Sequence, residues 1–154
     1  MPPLKNILLV DDSPHDTEMA VHALESCNLA NEVTTLRDGS EALDYLYRRG
    51  EFSLRPPSHP AVILLDLKMP RVDGIEVLRQ IKEDPDLRSI PVVIMTSSRE
   101  EQDIVRCYNL GGNAYVVKPV NFQEFVDAVR RVGAFWGILN DPPPFMLQRT
   151  LMAT

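Results

Sequence analysis

Residues 61–66 read Ala-Val-Ile-Leu-Leu-Asp, an uninterrupted apolar run that ends in a carboxylate. A short run of this kind, rich in Val, Ile and Leu, is typical of a strand that is buried on both faces of a parallel sheet. Three other apolar runs also end in a polar residue. They are Ile7 to Val10 before Asp11 and Asp12, Val92 to Met95 before Thr96, and Tyr115 to Val117 before Lys118. The pattern predicts four buried strands.

The segments between these runs are longer and have helical periodicity, so strands and helices alternate along the chain. This alternation predicts an α/β fold whose parallel sheet is covered on both faces. A further strand is predicted at about Glu32 to Leu36, and we expect it at a sheet edge because Thr alternates there with apolar residues. The chain then has five predicted strands and five predicted helices.

Capping residues indicate where the helices begin. Ser13 followed by Pro14 predicts that the first helix begins directly beside the acidic pair. Gly74 predicts a sharp turn into the third helix, Ile75 to Glu83. Capping boxes are predicted for the fourth and fifth helices, from Ser98 with Glu101 and from Asn121 with Glu124.

The polar residues that follow the strands are expected to lie close together. The carboxyl ends of parallel strands line one edge of a sheet, and ligands bind in the crevice there. Asp11, Asp12 and Asp66 would repel one another at such an edge unless cations balance their charge. A bound metal ion and the Lys118 ammonium are therefore part of the prediction, and the site should react with phosphate.

Length and charge exclude several classes of protein. The chain has 154 residues, which fits one domain, and its 22 Asp and Glu against 16 Lys and Arg leave a net charge of −6. Binding to the phosphate backbone needs a face rich in Lys and Arg, so nucleic acid is not an expected partner. No apolar run approaches the roughly 20 residues of a membrane span or forms a signal peptide, which predicts a cytoplasmic protein. Cys27 and Cys107 are predicted to be small buried thiols.

Two segments stand outside the alternating pattern. Residues 49–60 contain one Gly and three Pro with almost no apolar periodicity, which predicts a surface loop that serves as an inert connector. At the other end, four apolar residues are predicted to extend the last helix: Phe135, Trp136, Ile138 and Leu139. Three prolines at 142–144 should terminate it, and an apolar arm, Phe145 to Met152, follows. We predict that residues 134–154 form an extension used in self-association, with a disordered tail as the alternative.

Five short motifs occur in a fixed order on the predicted strands and loops. They are Leu8-Leu9-Val10-Asp11-Asp12, Leu64-Leu65-Asp66-Leu67-Lys68-Met69-Pro70, Asp73-Gly74, Met95-Thr96-Ser97 and Tyr115-Val116-Val117-Lys118-Pro119. Together they resemble the receiver domain of two-component response regulators over residues 5–133. The resemblance implies a single flavodoxin-like domain with a doubly wound, five-stranded parallel sheet of order 2-1-3-4-5 and five helices.

The resemblance also implies the roles of the acidic residues. Asp66 would be the phosphoacceptor, whose carboxylate attacks the phosphorus of a partner kinase's phosphohistidine. Asp11, Asp12 and Asp66, with the backbone carbonyl of Lys68, would hold a metal ion. Hard oxygen ligands of this kind suit Mg²⁺. A capping acidic turn would explain one Asp of the pair but not both.

The remaining residues would stabilise the phosphoryl group or change conformation in response to it. By the resemblance, Lys118 supplies a point charge to it, and the Lys118–Pro119 peptide is cis. Thr96 is expected to donate a hydrogen bond to a phosphoryl oxygen, which leaves space into which the Tyr115 ring can turn. Thr96 and Tyr115 would thus form a switch.

Similarity at residues outside most of the five motifs suggests which kind of response regulator this is. Only about twenty residues follow the core, so we expect a single-domain regulator without an output domain. Three stretches resemble single-domain regulators that are paired with bacterial phytochrome histidine kinases: residues 85–93, residues 113–120 and residues 140–144. The resemblance implies a sensor histidine kinase, such as a bacteriophytochrome, as partner, a histidine phosphotransfer protein as a further candidate partner, and a homodimer.

A few residues argue against three alternative functions. A phosphatase of the haloacid-dehalogenase type needs an Asp two residues after its nucleophile, where this chain has Lys68. A flavin binder needs a loop after the first strand that attracts phosphate, whereas residues 11–14 carry two carboxylates. A receiver fold retained only for docking would be expected to lose some of the acidic residues, Thr96 or Lys118. We therefore expect a phosphoacceptor signalling protein rather than an enzyme.

Overall fold

The computed structural model of the chain describes residues 5–29 and 32–145. Within them lies one parallel sheet of five strands in the order β2-β1-β3-β4-β5. The strands are β1 (Ile7–Val10), β2 (Val33–Leu36), β3 (Val62–Leu65), β4 (Val92–Thr96) and β5 (Ala114–Val117). The predicted fold and strand order are confirmed, and β2 lies at an edge as its alternating Thr residues predicted.

Five helices cover the two faces of the sheet. They are α1 (Pro14–Glu25), α2 (Gly39–Tyr47), α3 (Gly74–Glu83), α4 (Glu101–Asn109) and α5 (Phe122–Ala134). One buried apolar cluster joins the sheet to α2, α3 and α4, and a second joins it to α1 and α5. Every residue of β1 and β3 is buried. Each of these large side chains contributes about 1.5 to 3 kcal/mol by leaving water.

Side-chain caps set where most helices begin. Ser13 Oγ accepts a hydrogen bond from the Asp16 N–H at 3.2 Å, and Asn121 Oδ1 accepts one from the Glu124 N–H at 3.1 Å. Both predicted starts are therefore confirmed. Asp38 and Asp73 cap α2 and α3 in the same manner. These two caps were not predicted from the sequence.

The predicted capping box at Ser98 is wrong. Helix α4 begins at Glu101 and has no side-chain cap. The Ser98 hydroxyl instead donates to the Asp103 side chain in the first turn of α4, at 2.6 Å to Oδ2, and accepts from the Glu100 N–H of the preceding loop at 3.3 Å. The hydroxyl therefore joins the loop to the side chain of a first-turn residue, and it accepts no hydrogen bond from a backbone N–H of the helix itself.

The register of the sheet aligns the strand ends. Val10 pairs with Leu65 across β1 and β3, so the residues that follow them leave the sheet at the same level. The Asp66 N–H donates to the Val10 carbonyl at 3.0 Å, and the Lys118 N–H donates to the Thr96 carbonyl at 2.7 Å. The backbones of Asp66 and Lys118 are thus each fixed by a neighbouring strand.

Gly74 brings α3 against the backbone of Asp66. The Gly74 N–H donates to the Leu67 carbonyl at 2.9 Å. A Cβ atom at this position would lie 2.1 Å from the Asp66 carbonyl oxygen and 2.7 Å from the Leu67 Cα. Because Gly74 is not among the residues with positive φ, close approach of two backbones requires glycine here, not the turn that the sequence suggested.

The chain after α5 continues as helix and packs partly on the domain. A π-helical turn, Phe135–Leu139, follows α5 directly, so the predicted extension of the last helix is confirmed. Trp136 packs against the second apolar cluster, and a Cβ on Gly137 would meet Ile7 at 3.1 Å. Lys5 Nζ donates to the last carbonyls of this turn, those of Ile138 and Asn140, at 2.9 and 2.8 Å. The arm predicted beyond Phe145 lies outside the described residues.

The loop of residues 49–60 is attached to the domain. It contains a 3₁₀ turn, Gly50–Phe52, and the Phe52 ring packs edge-on against Tyr45 with 5.3 Å between centroids. Arg55 lies over the Tyr45 ring at 4.2 Å and donates to the Tyr45 carbonyl. Near the end of the loop, the His59 ring contacts the ring of Phe145 at 4.7 Å. The loop therefore carries one contact to the carboxyl-terminal extension.

Replacing Gly74 by Ala should destabilise the domain by about 2 kcal/mol, because the new methyl group overlaps the Asp66 and Leu67 backbone. Urea denaturation measures this loss of unfolding free energy. Gly50→Ala is the control: Gly50 has φ +61 but an added Cβ meets only Asp44 Oδ2 at 3.7 Å, so we expect a loss of about 1 kcal/mol. A larger loss in Gly50→Ala than in Gly74→Ala would contradict the close-approach argument.

Candidate functional site

Three carboxylates meet at the carboxyl edge of the sheet. One oxygen from each of Asp11, Asp12 and Asp66 lies within 4.8 Å of the other two. Asp11 and Asp12 follow β1, and Asp66 follows the neighbouring strand β3. The convergence predicted from the strand-end pattern is therefore present in the structure.

The three carboxylates differ in exposure. Asp11 and Asp66 are 5% and 8% exposed, whereas Asp12 faces solvent. Asp11 Oδ1 accepts a hydrogen bond from the Ser13 N–H at 2.9 Å. Burial raises the pKa of Asp11 above its ordinary value, although the hydrogen bonds from Lys118 and the Ser13 N–H act in the opposite direction. Two nearly buried carboxylates at this spacing require a compensating cation.

Lys118 supplies a positive charge inside the cluster. Its Nζ donates to Asp11 Oδ2 at 2.8 Å and lies 3.4 Å from Asp66 Oδ2. Burial alone would lower the pKa of Lys118, but the hydrogen bonds to Asp11 and Asp16 and the charge of Asp66 outweigh it and raise the pKa. Lys118 therefore remains an ammonium ion. The Lys118–Pro119 peptide is trans, contrary to the cis geometry implied by the resemblance, and Pro permits both because they differ by only about 1 kcal/mol.

Thr96 and Tyr115 occupy the adjacent strands. Thr96 ends β4 and is fully buried, with its Oγ1 accepting a hydrogen bond from the Ser98 N–H at 3.3 Å. Tyr115 lies on β5 and donates its hydroxyl to the Ser98 carbonyl at 3.0 Å. Both side chains therefore bind the same residue of the loop between β4 and α4, so the pair predicted from the sequence is structurally linked.

Sequence reasoning missed Asp16. Its carboxylate Oδ2 lies 2.8 Å from Lys118 Nζ, as close as that of Asp11. No motif in the sequence assigned Asp16 a role at this site. Its position one helical turn after the acidic pair was the available signal, because the start of α1 lies at the same edge of the sheet.

The cluster fits a divalent cation. It offers carboxylate oxygens only, close enough to share one ion, and one of the three residues faces solvent. Hard oxygen donors with access to water suit Mg²⁺, Mn²⁺ or Ca²⁺ rather than a thiolate-preferring metal. The Lys68 side chain is exposed, and the predicted role of its backbone carbonyl as a ligand stays a prediction.

The model of the response regulator receiver domain matches residues 7–130, which include every strand and the acidic cluster. The chain belongs to this family. The match ends within α5, so the extension that follows lies outside the matched part of the receiver domain.

Individual relatives of this receiver domain are themselves response regulators. The response regulator Rcp1 of Synechocystis sp. (strain ATCC 27184 / PCC 6803 / Kazusa) is 40% identical over 134 residues, which are 87% of this chain and 90% of Rcp1. The crystal structure of the phosphorylated cyanobacterial phytochrome response regulator RcpA has a TM-score of 0.86 at 40% identity, over 92% of this chain and 99% of that one.

Two further structures bear on the site and on the subfamily. The crystal structure of the Mn(2+)-bound form of Rcp1 has a TM-score of 0.84 at 39% identity, over 90% of this chain and 99% of that one. The bacteriophytochrome response regulator AtBRR is 58% identical with a TM-score of 0.72, over 91% of this chain and all of that one. The chain is thus a receiver-domain response regulator, similar to regulators of phytochrome signalling.

Two further features of the described residues concern membrane-spanning helices and free cysteines. Within residues 5–29 and 32–145, no helix is both long and apolar enough to span a membrane. Cys27 and Cys107 are free thiols, of which Cys107 is buried and Cys27 half-buried. Cys27 lies just beyond the end of α1, so the prediction of two buried thiols is confirmed only for Cys107.

Asp12→Asn should lower the affinity for Mn²⁺ by about tenfold or more, because a carboxylate ligand is exchanged for a neutral amide. Isothermal titration calorimetry with MnCl₂ measures this change. Asp12 is exposed, so the fold should tolerate the substitution.

The matched control is Glu18→Gln, which removes one exposed carboxylate from α1, outside the acidic cluster. We expect its Mn²⁺ affinity to stay within about twofold of the wild type, because screening weakens the effect of distant exposed charges. An equal loss of affinity in both variants would show that general negative charge, not the cluster, attracts the ion.

Proposed function

We propose that this protein accepts a phosphoryl group from a sensor histidine kinase onto Asp66 and signals by a change in protein binding. The observation that carries the proposal is the meeting of Asp66 with two further carboxylates and the Lys118 ammonium at one sheet edge. Such a charge arrangement serves the transfer of an anionic group, since the cations that balance the carboxylates also balance the phosphoryl oxygens. The protein itself is therefore the phosphoacceptor, rather than an enzyme that acts on a separate substrate.

Asp66 is the proposed nucleophile. An Asp66 carboxylate oxygen attacks the phosphorus of the kinase phosphohistidine, the P–N bond breaks, and its electrons return to the imidazole, which takes up a proton. The product is an aspartyl phosphate, and no oxidant or reductant is needed. Asp66 is held by the Val10 carbonyl through its backbone N–H, so its carboxylate is presented from a rigid strand end.

Lys118 and Thr96 are the proposed stabilising groups. The Lys118 ammonium already lies 3.4 Å from Asp66 Oδ2, close to where a phosphoryl oxygen would form. The Thr96 hydroxyl at the end of β4 would donate to another phosphoryl oxygen. Asp11, Asp12 and Asp66, with the Lys68 carbonyl, would hold Mg²⁺, which when bound supplies charge stabilisation to the phosphoryl oxygens.

The proposed switch links the phosphoryl group to the surface of α4 and β5. Thr96 and Tyr115 both bind Ser98, so loss of the Thr96 contact on phosphorylation would change the loop that also holds the Tyr115 hydroxyl. The Tyr115 hydroxyl donates to the Ser98 carbonyl, and burial raises its pKa. Through Ser98, a change of charge at Asp66 would therefore alter the loop next to the surface of α4 and β5.

The proposed partners follow from the relatives. Similarity to the phytochrome response regulator RcpA and the bacteriophytochrome response regulator AtBRR supports a phytochrome-type histidine kinase as phosphoryl donor, and a histidine phosphotransfer protein is a further candidate. The cytoplasmic location stays a prediction. These assignments concern which protein supplies the phosphoryl group and leave the chemistry at Asp66 unchanged.

We also propose that residues 5–133 are the receiver domain proper and that residues 134–154 serve self-association. Phe135, Ile138 and Leu139 are 50%, 51% and 74% exposed on the turn that follows α5. Val105 and Tyr108 on α4 are about equally exposed. Exposed apolar side chains in this number on a small domain favour a protein interface.

Incubation with acetyl phosphate and Mg²⁺ should add one phosphoryl group to the wild type and none to Asp66→Asn. Intact-mass spectrometry measures the adduct, and treatment with hydroxylamine should remove it because an aspartyl phosphate is an acyl phosphate. Omitting Mg²⁺ should reduce the adduct strongly, since three carboxylates otherwise repel the phosphoryl donor.

Asp73→Asn is the control for this experiment. Asp73 is an exposed carboxylate that caps α3, and Asn is an equally good cap, so phosphorylation should stay at the wild-type level. Absence of an adduct on the wild type under every condition would instead favour a receiver fold that binds partners without phosphorylation.

Removing residues 142–154 should weaken self-association by about tenfold while leaving Asp66 phosphorylation intact, because the predicted arm is lost and the site is not. Multi-angle light scattering over a concentration series measures the association. Leu139→Ser, which changes one exposed side chain of the preceding turn, should weaken association in the same direction. An unchanged dimer mass in the truncated protein would contradict the proposed role of the arm.

A further inference from the structure

The Lys118 ammonium has three hydrogen-bond donors and three carboxylate neighbours. Two of its contacts, to Asp11 and Asp16, are 2.8 Å, a normal length for a charge-assisted hydrogen bond. The third contact, to Asp66, is longer at 3.4 Å. Two donors are therefore anchored, and the third is directed toward the carboxylate that would receive the phosphoryl group.

Asp16 differs from the other two neighbours of Lys118. Asp11 and Asp66 belong to the acidic cluster, whereas Asp16 does not. It lies in the first turn of α1, where its backbone N–H donates to Ser13 Oγ. Its side chain is 24% exposed, and that of Lys118 is 6% exposed, so water screens this ion pair only partly. The carboxylate is thus fixed by the helix start and aimed at the ammonium.

We propose that Asp16 is a positioning residue that holds the Lys118 ammonium for phosphoryl transfer to Asp66. This inference rests on the proposed function. Asp66 must form a bond to phosphorus, and Asp11 belongs to the cluster that can take up a cation, so neither can hold Lys118 in one place throughout the reaction. Asp16 takes part in neither event. It keeps the ammonium beside Asp66, so less conformational entropy of the Lys118 side chain is lost during the transfer.

A purely structural role for Asp16 makes different predictions. An acidic residue in the first turn stabilises a helix through the helix dipole, whether or not Lys118 is present. Loss of that role would lower the stability of α1 but would not depend on Lys118. A double-mutant cycle between the two positions separates the two roles.

The test compares phosphorylation rates with acetyl phosphate and saturating Mg²⁺. Asp16→Asn should lower the rate about three- to tenfold, which corresponds to loss of one partly screened ion pair. Glu25→Gln, at the other end of α1 and exposed, should stay within about twofold of the wild type. In a Lys118→Ala background, the Asp16→Asn change should have no further effect.

A second measurement does not require phosphorylation or metal. The ¹H–¹⁵N signal of the Lys118 ammonium, assigned by its loss in Lys118→Arg, should be visible in the metal-free wild type because three carboxylates slow its exchange with water. Asp16→Asn should broaden or remove this signal, and Glu25→Gln should leave it unchanged.

The outcomes separate this inference from the proposed function. A wild type that takes up no phosphoryl group overturns the proposed function and, with it, the role of Asp16 in transfer. A wild type that is phosphorylated at the same rate as Asp16→Asn overturns the inference alone. An Asp16→Asn effect that is equally large in the Lys118→Ala background also overturns it, since Asp16 would then act on helix stability or on general charge.

Discussion

One buried ammonium makes the acidic edge of this sheet possible. Lys118 comes from the end of β5, yet it contacts Asp11 after β1, Asp16 at the start of α1 and Asp66 after β3. Two of these carboxylates are nearly buried, and such charges are tolerated only when each is paired. The interaction therefore joins three strand ends electrostatically. It also leaves the site rich in negative charge, so a further cation is favoured.

The backbone holds these side chains at the distances that the ammonium requires. The register between β1 and β3 places Val10 level with Leu65, and the Asp66 N–H is bound to the Val10 carbonyl. Gly74 then lets α3 lie directly against the Asp66 carbonyl. Both contacts fix the Asp66 backbone, from which its carboxylate extends. Rigid support of this kind is what distinguishes a preorganised site from a surface cluster of acids.

The first and last described segments of the chain meet at the amino end of β1, whereas the acidic edge lies at its carboxyl end. Lys5, just before β1, donates to the carbonyls that end the π-helical turn, and Trp136 of that turn packs on the second apolar cluster. The His59 ring then contacts Phe145, so the loop after α2 is tied to the extension. Up to residue 145, the extension thus packs on the domain through Trp136 and exposes the apolar side chains of Phe135, Ile138 and Leu139. Its exposed part is the surface to which we assign self-association.

Local pattern alone determined the strands, most helix starts and the identity of the acidic, Thr and Lys residues at the sheet edge, because apolar runs and capping residues act over a few positions. Tertiary structure decided the rest. Ser98 caps no helix because its hydroxyl is bound by Asp103, and Gly74 is required by a backbone that lies eight residues away in sequence. Asp16 joins the site only because the start of α1 reaches Lys118, which is 102 residues distant. Contacts between remote segments depend on how helices pack against the sheet, and no local pattern encodes that geometry.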